Sequence, residues 1–143
     1  NVDCVIIDYL QLMKSAVKTD NRVQEVTEIT RSLKLMAKDL NIPVITCAQL
    51  ARGTEQRGKS HKPQLSDLRE SGSIEQDADI VMMLYRDNYY SDTGEDGPAL
   101  PNTAQVLVQK NRHGPTADID LNWIPEFTLF TTKERDRDEN ESA

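Results

Sequence analysis

Cys4-Val5-Ile6-Ile7-Asp8 is a continuous apolar run closed by an acid, the pattern of a strand buried on both faces. From Val23 the period changes. Val26, Ile29, Leu33, Met36, Ala37 and Leu40 recur at spacings of three and four, which predicts an amphipathic helix with Arg31, Lys34 and Lys38 on its wet side. Asn41 ends that helix and Pro43 cannot continue it. Val44-Ile45-Thr46-Cys47-Ala48 then reads as a second buried strand. Strand, helix and strand with short joins make a βαβ unit, with parallel strands and a right-handed crossover.

Further along, Ala51 to Gln64 is polar, basic and without period, and reads as a long loop. Ser66-Asp67-Leu68-Arg69 resembles a helix N-cap followed by a short helix, interrupted near Gly72. Ile80 to Tyr85 predicts a third buried strand, and the acidic stretch Asp87 to Asn102 a mobile surface loop. Residues 104–109, 119–123 and 127–132 are strand candidates with short joins, so antiparallel hairpins are expected at the edge of the parallel sheet. The charged stretch 133–143 has no large apolar residue and reads as a disordered tail, leaving 1–132 as the folded domain.

The whole chain has 143 residues, the length of one domain, with 17 Lys+Arg against 24 Asp+Glu and a net charge of −7. That balance excludes a polybasic nucleic-acid binder, but not a motor whose nucleic-acid contacts are a few local residues. Cys4 and Cys47 lie inside apolar runs, which suits buried thiols in a reducing compartment better than a disulfide. No apolar stretch approaches the roughly 18 residues of a membrane span. The N-terminus has no signal-peptide shape, and the expected setting is cytoplasmic. A central strand at the first residues, with no initiator Met, predicts a piece of something longer.

Three places carry candidate chemistry. Asp8 ends the first strand, and in open α/β sheets ligands bind outside the carboxyl ends of the strands. Nucleotide hydrolases use an Asp there to hold Mg²⁺, although an Asp ending a strand can also simply cap a turn. Gln49 closes the second strand, where an amide can sense a terminal phosphate or merely meet solvent. Lys110 and Arg112 are two apart on a strand and so point the same way, either clamping phosphate or standing as solvated hairpin charges.

Gly53-Thr54-Glu55-Gln56-Arg57-Gly58-Lys59-Ser60 matches the Walker A pattern letter for letter, yet its context fails. A P-loop feeds directly into a helix whose amides hold phosphate. Here His61-Lys62-Pro63 follows, with no apolar helical stripe, and Pro63 disfavours helix at Lys62. A basic loop near a polyanion accounts better for Arg52, Arg57, Lys59 and Lys62. His61 and His113 are isolated in sequence, so a zinc site is not expected.

Taken in order, the segments resemble the C-terminal half of the motor domain of the bacterial replicative DNA helicase, the DnaB family. Val5 to Met13 is similar to that family's Walker B segment, and Gln24 to Lys34 to its following helix. Pro43 through Leu50 resembles the strand ending in the phosphate-sensing Gln. Ser66 to Asp79 resembles the most distinctive motif, and Lys110-Asn111-Arg112-His113-Gly114 the hairpin with the arginine finger. The resemblance implies a partial RecA-like α/β fold, a parallel sheet lacking the P-loop portion, in a homohexamer that uses ATP and Mg²⁺ to move along single-stranded DNA. It further implies a primase and a helicase loader as partners. On it, Asp8 helps hold Mg²⁺, Gln49 senses the γ-phosphate, and Lys110 and Arg112 reach the neighbouring subunit's nucleotide. Arg69, Glu70 and Gly72 match the loop lining the central channel.

The family's Walker A loop and the Glu that activates water lie upstream of anything matched here. These 143 residues alone are therefore expected to be inactive. Two rivals stand beside this reading: a related RecA-fold motor, against which residues 69–79 speak, and a non-catalytic DNA- or partner-binding fragment.

Overall fold

The computed structural model describes residues 2–17, 19–50, 62–86 and 102–133, except for the side chains of residues 69–71. The Walker-like octad 53–60, most of the acidic loop and residues 134–143 lie outside the described residues.

The βαβ unit is present. Strand β1 (Val5–Ile7) pairs in parallel with β2 (Val44–Thr46), Ile7 opposite Thr46, and helix α1 (Arg22–Leu40) connects them. Asn21 caps α1 by accepting the Val23 N–H at 2.9 Å. Asn41 closes it in the left-handed region (φ 51°), a conformation Asn tolerates better than most residues. Val26 and Ile29 bury as the period requires. Lys34 departs from its expected wet position: its ammonium pairs with Asp79, at the margin of the buried stripe.

Beyond the loop, residues Leu65–Ser71 form a 3₁₀ helix that runs into α2 (Gly72–Asp77). The cap is Gln64 rather than Ser66. The reason is Asp67, whose buried carboxylate reaches back to accept the Gln64 N–H at 2.8 Å.

Strand β3 (Ile80–Tyr85) is not a third parallel strand. It leads a four-stranded antiparallel sheet with β4 (Thr103–Asn111), β5 (Ala117–Ile124) and β6 (Leu129–Thr132), in that order. The antiparallel hairpins are thus as expected, and β3 joins them because its hydrogen-bonding edge meets β4. Nor is β3 buried on both faces. Val81, Met83 and Tyr85 turn inward while Met82 and Leu84 are 62% and 64% exposed. On β1, Ile6 is likewise 70% exposed, and both cysteines are free and exposed rather than buried. The physical cause is layering: among the described residues the helices cover one face of these strands and nothing covers the other. Apolar side chains on the bare face remain in solvent.

The core is one cluster. Leu10 after β1, Val26 and Ile29 of α1, Leu68, Ile74 of α2, and Val81, Met83, Tyr85 and Leu107 of the sheet pack together. On the sheet, the Arg86 guanidinium lies 4.3 Å from the Trp123 ring centre, and Trp123 packs against Phe130.

Leu107→Ala is expected to cost about 2–5 kcal/mol in chemical unfolding, because the site is fully enclosed. Leu84→Ala on the bare face should stay within about 0.5 kcal/mol. Equal losses at the two positions would contradict a sheet covered on one face.

Candidate functional site

Parallel pairing sets the first half of the site. Because β1 and β2 run side by side, Asp8 and Gln49 leave the sheet at the same carboxyl edge. The ladder continues past the strands: Ile7 C=O accepts the Cys47 N–H, and Cys47 C=O the Leu10 N–H, each at 2.9 Å. Both the Asp8 and Gln49 residues are exposed.

Gln11 joins the two strand ends. Its side-chain amide donates to the Gln49 carbonyl at 3.0 Å and accepts the Gln49 N–H at 3.2 Å. The backbone beside Gln49 is therefore pinned at both of its polar groups. Gln11 in turn sits in a short 3₁₀ turn, Leu10–Leu12, whose carbonyls are held from α1: Arg22 donates to Gln11 C=O at 2.9 Å and also pairs with Glu25 at 2.5 Å. That ion pair and the Ser15 N–H hold the Glu25 carboxyl below its ordinary range, against a smaller upward push from burial. Sequence reasoning singled out Asp8 and Gln49 but gave Gln11 no role. Its partner lies 38 positions further along the chain, so no local pattern announces it.

The donor set suits Mg²⁺. That ion keeps several waters and is usually bound by one or two carboxylates plus substrate phosphates, and Asp8 offers one exposed carboxylate at an open edge. No group of three or more metal-ligating side chains exists among the described residues, so a fully protein-caged ion does not fit there.

The second half is the β4–β5 hairpin. Lys110 and Arg112 do point the same way, onto the end of α2. Lys110 Nζ donates to the Glu75 carbonyl at 2.5 Å, and Arg112 Nη2 to the Gln76 carbonyl at 3.0 Å. The direction comes from a β-bulge. Met82 pairs with Val108 but Val81 pairs with Lys110, leaving Gln109 as the extra residue. Simple alternation would put Lys110 opposite the face of Leu107; the bulge turns it onto the helix-covered face with Val81. The turn itself is closed by Asn111, which accepts the His113 N–H and donates to the Pro115 carbonyl. A Cβ at Gly114 would fall 2.7 Å from the Asn111 amide nitrogen, so a larger residue has to push that amide out of its turn contacts.

Asp79 completes this half. Its carboxylate accepts from Lys34 and lies 3.4 Å from Arg112 Nε. The hydrogen bond from Lys34 holds the Asp79 carboxyl below its ordinary range, opposed by partial burial and aided by the charges of Lys34, Arg112 and His113. No hydrogen bond or ion pair joins these hairpin residues to Asp8 or Gln49 among the described residues. The chain brings the four candidates together in two pairs, not in one pocket.

Arg69 and Glu70 lie in the 3₁₀ helix Leu65–Ser71, and their side chains are outside the described residues. Gly72, at the join with α2, has ordinary helical backbone (φ −51°). A Cβ there would meet nothing within 4 Å, so packing does not demand glycine.

Among solved structures, one described as an ATPase domain superimposes with a TM-score of 0.82 at 44% identity, over 92% of this chain and 44% of that one. A structure of a DnaB-like replicative helicase and its interactions with primase gives the same score and identity, over 92% and 31%. The fold is that of a RecA-like helicase ATPase domain. The family model of the DnaB-like helicase C terminal domain matches residues 1–132. Replicative DNA helicase DnaB of Geobacillus stearothermophilus is 47% identical over 136 residues, 94% of this chain and 29% of that protein. Replicative DNA helicase DnaC of Bacillus subtilis is 47% identical over 132 residues, 92% and 28%. The chain belongs to the DnaB-like helicase C-terminal domain family, and it spans under a third of the length of these curated relatives.

A lowered carboxyl has a definite pH signature. The stabilisation from Asp79 is full above the ordinary Asp value of about 3.9 and disappears as the pH falls through its lower folded value. Being half exposed, the pair contributes at most about 1 kcal/mol. Carboxyl-carbon NMR should find Asp79 titrating below the ordinary value, and Lys34→Met should move it upward. An unshifted Asp79 in the unmodified chain would remove the ion pair from the account.

Proposed function

We propose that the chain is the metal-holding, phosphate-sensing and DNA-contacting part of an ATP-dependent replicative helicase. That helicase moves on single-stranded DNA as a ring of six in the cytoplasm and unwinds duplex at the fork. The observation that carries this reading is the shared edge of β1 and β2, where Asp8 and a Gln49 pinned by Gln11 face the same opening. ATP and Mg²⁺ are the cofactors. Mg²⁺, when bound, neutralises charge on the β- and γ-phosphates, and Asp8 would hold it. Gln49 would hydrogen-bond the terminal phosphate, and its clamped backbone would transmit the loss of that contact toward Gln11 and α1.

Lys110 and Arg112 act on the nucleotide of the adjacent subunit. Both are tied to the end of α2 in their own chain, so the ligand must come to them. Arg112 spends one Nη on a hydrogen bond there, within a group of five N–H donors, and its side chain stays 44% exposed with Nε 3.4 Å from Asp79. Arg69, Glu70 and Gly72 face single-stranded DNA. The open space beside Gly72 leaves room for a backbone to approach. Primase is a partner, by likeness to the helicase solved with its primase interactions, and a loader places the ring on DNA. The 143 residues by themselves do not turn over ATP.

In the complete ring, Arg112→Ala should leave nucleotide binding nearly intact and cut hydrolysis by about 10³-fold or more. Mixing Arg112→Ala subunits with Asp8→Asn subunits should restore some turnover, at interfaces where an intact Asp8 meets an intact Arg112. Co-assembled mixtures that never recover would defeat the action across subunits.

Arg69→Ala should weaken single-stranded DNA binding about equally for all base sequences and flatten its salt dependence, since fewer counterions are released. An unchanged slope and affinity in a salt titration would move the DNA contact elsewhere, with the basic stretch Arg52 to Lys62 as the next candidate.

A further inference from the structure

Helix α2 ends without a basic residue of its own in the last turn, and its terminal carbonyls need donors. The β4–β5 hairpin supplies them. Lys110 takes the Glu75 carbonyl and Arg112 the Gln76 carbonyl, both favourable at the negative end of a helix. The Arg112 backbone N–H adds a 2.8 Å bond to the Asp79 carbonyl, and the Asp79 side chain faces Arg112 Nε. From the far side α1 holds the same short stretch: Thr30 donates to Asp77 at 2.6 Å and Lys34 to Asp79. The residues 72–79 are therefore gripped by the hairpin on one side and α1 on the other. The hairpin cannot shift without dragging the end of α2, and α2 continues directly into the segment that carries Arg69.

We propose that Asp79 is a positioning residue that fixes Arg112 against the end of α2, making the hairpin and the segment 65–77 one mechanical body. It rests on the roles proposed above for Arg69 and Arg112. Displacement of the segment by DNA would then be delivered to the guanidinium directly, and the grip of Arg112 on a neighbour's nucleotide would report back to the DNA contact by the same path. Coupling is reciprocal for binding free energies. The Asp79 carboxylate holds the guanidinium by charge from its Nε side, 3.4 Å away, and leaves its outer edge to a ligand.

The test uses the complete helicase, measuring ATP hydrolysis with and without single-stranded DNA, KM for ATP, and DNA affinity. Asp79→Asn, close in shape to the original, should lower DNA stimulation of kcat by about 5-fold or more, the low end of ordinary coupling. KM for ATP without DNA, and DNA affinity without nucleotide, should hold. Asp79→Glu should restore part of the stimulation. Lys34→Met removes the other cation from the same carboxylate and leaves Arg112 its partner, so stimulation should survive it. If Lys34→Met and Asp79→Asn fail alike, Asp79 merely ties β3 to α1 and the inference is overturned. If Arg112→Ala slows hydrolysis while Asp79→Asn keeps full stimulation, the inference fails and the proposed function stands. If Arg112→Ala itself leaves hydrolysis intact, the reading beneath both is wrong.

Discussion

Burial of one stripe of α1 is the constraint on which the rest of the structure depends. Val26 and Ile29 are packed between Leu10, which follows β1, and Leu68, Ile74 and the inner residues of β3 and β4. The parallel pair and the antiparallel sheet are separate hydrogen-bonded systems, and α1 with the short helical segment 65–77 shares one core with residues from both. At roughly 1.5–3 kcal/mol for each fully buried large apolar side chain, this cluster outweighs every exposed ion pair. The polar contacts of the site are aimed by it rather than the reverse.

The same helix carries the polar fastenings in register with its apolar stripe. Thr30 and Lys34 are one turn apart, and they reach Asp77 and Asp79, which straddle Ala78. At the N-terminal end of α1, Arg22 and Glu25 hold the backbone of residues 11–15, and through Gln11 the Gln49 strand end. The middle of α1 thus orders one half of the site and its first turn the other. A single rigid helix explains why two pairs of functional candidates with no direct bond between them still have fixed positions.

The parts legible in the sequence are those that depend on period and local caps. Most of α1 follows from an apolar spacing of three and four that stops at Asn41, and Asp8 and Gln49 follow from closing the two apolar runs. What stayed hidden depends on pairing. Ile80 to Tyr85 is equally apolar whether a strand is covered on one face or two, and nothing in that run says which neighbour it will bond. The direction of Lys110 is set by the extra residue Gln109, which appears only when the ladder with β3 is drawn. Gln11 and Asp79 were invisible as site residues for a similar reason, because their partners lie 38 and 45 or 33 positions away and no local pattern announces them.

The division of the site has a mechanical consequence. A guanidinium tied to a helix end by its own chain loses the freedom to swing toward Asp8 in that chain, yet keeps its outer donors. If it swung freely, ordering it at each encounter would cost side-chain entropy of about 1–2 kcal/mol. Held in advance against Gln76 and Asp79, it meets a neighbour's ligand without that cost, and only where the neighbour is docked in the right place. On the proposed reading, specificity for the assembled ring therefore resides in the rigidity of the hairpin. The bulge at Gln109 aims Lys110 at the end of α2, and the Asn111 contacts close the turn before Arg112 is tied down, so changes there would loosen the response to a neighbour without touching any group that contacts nucleotide.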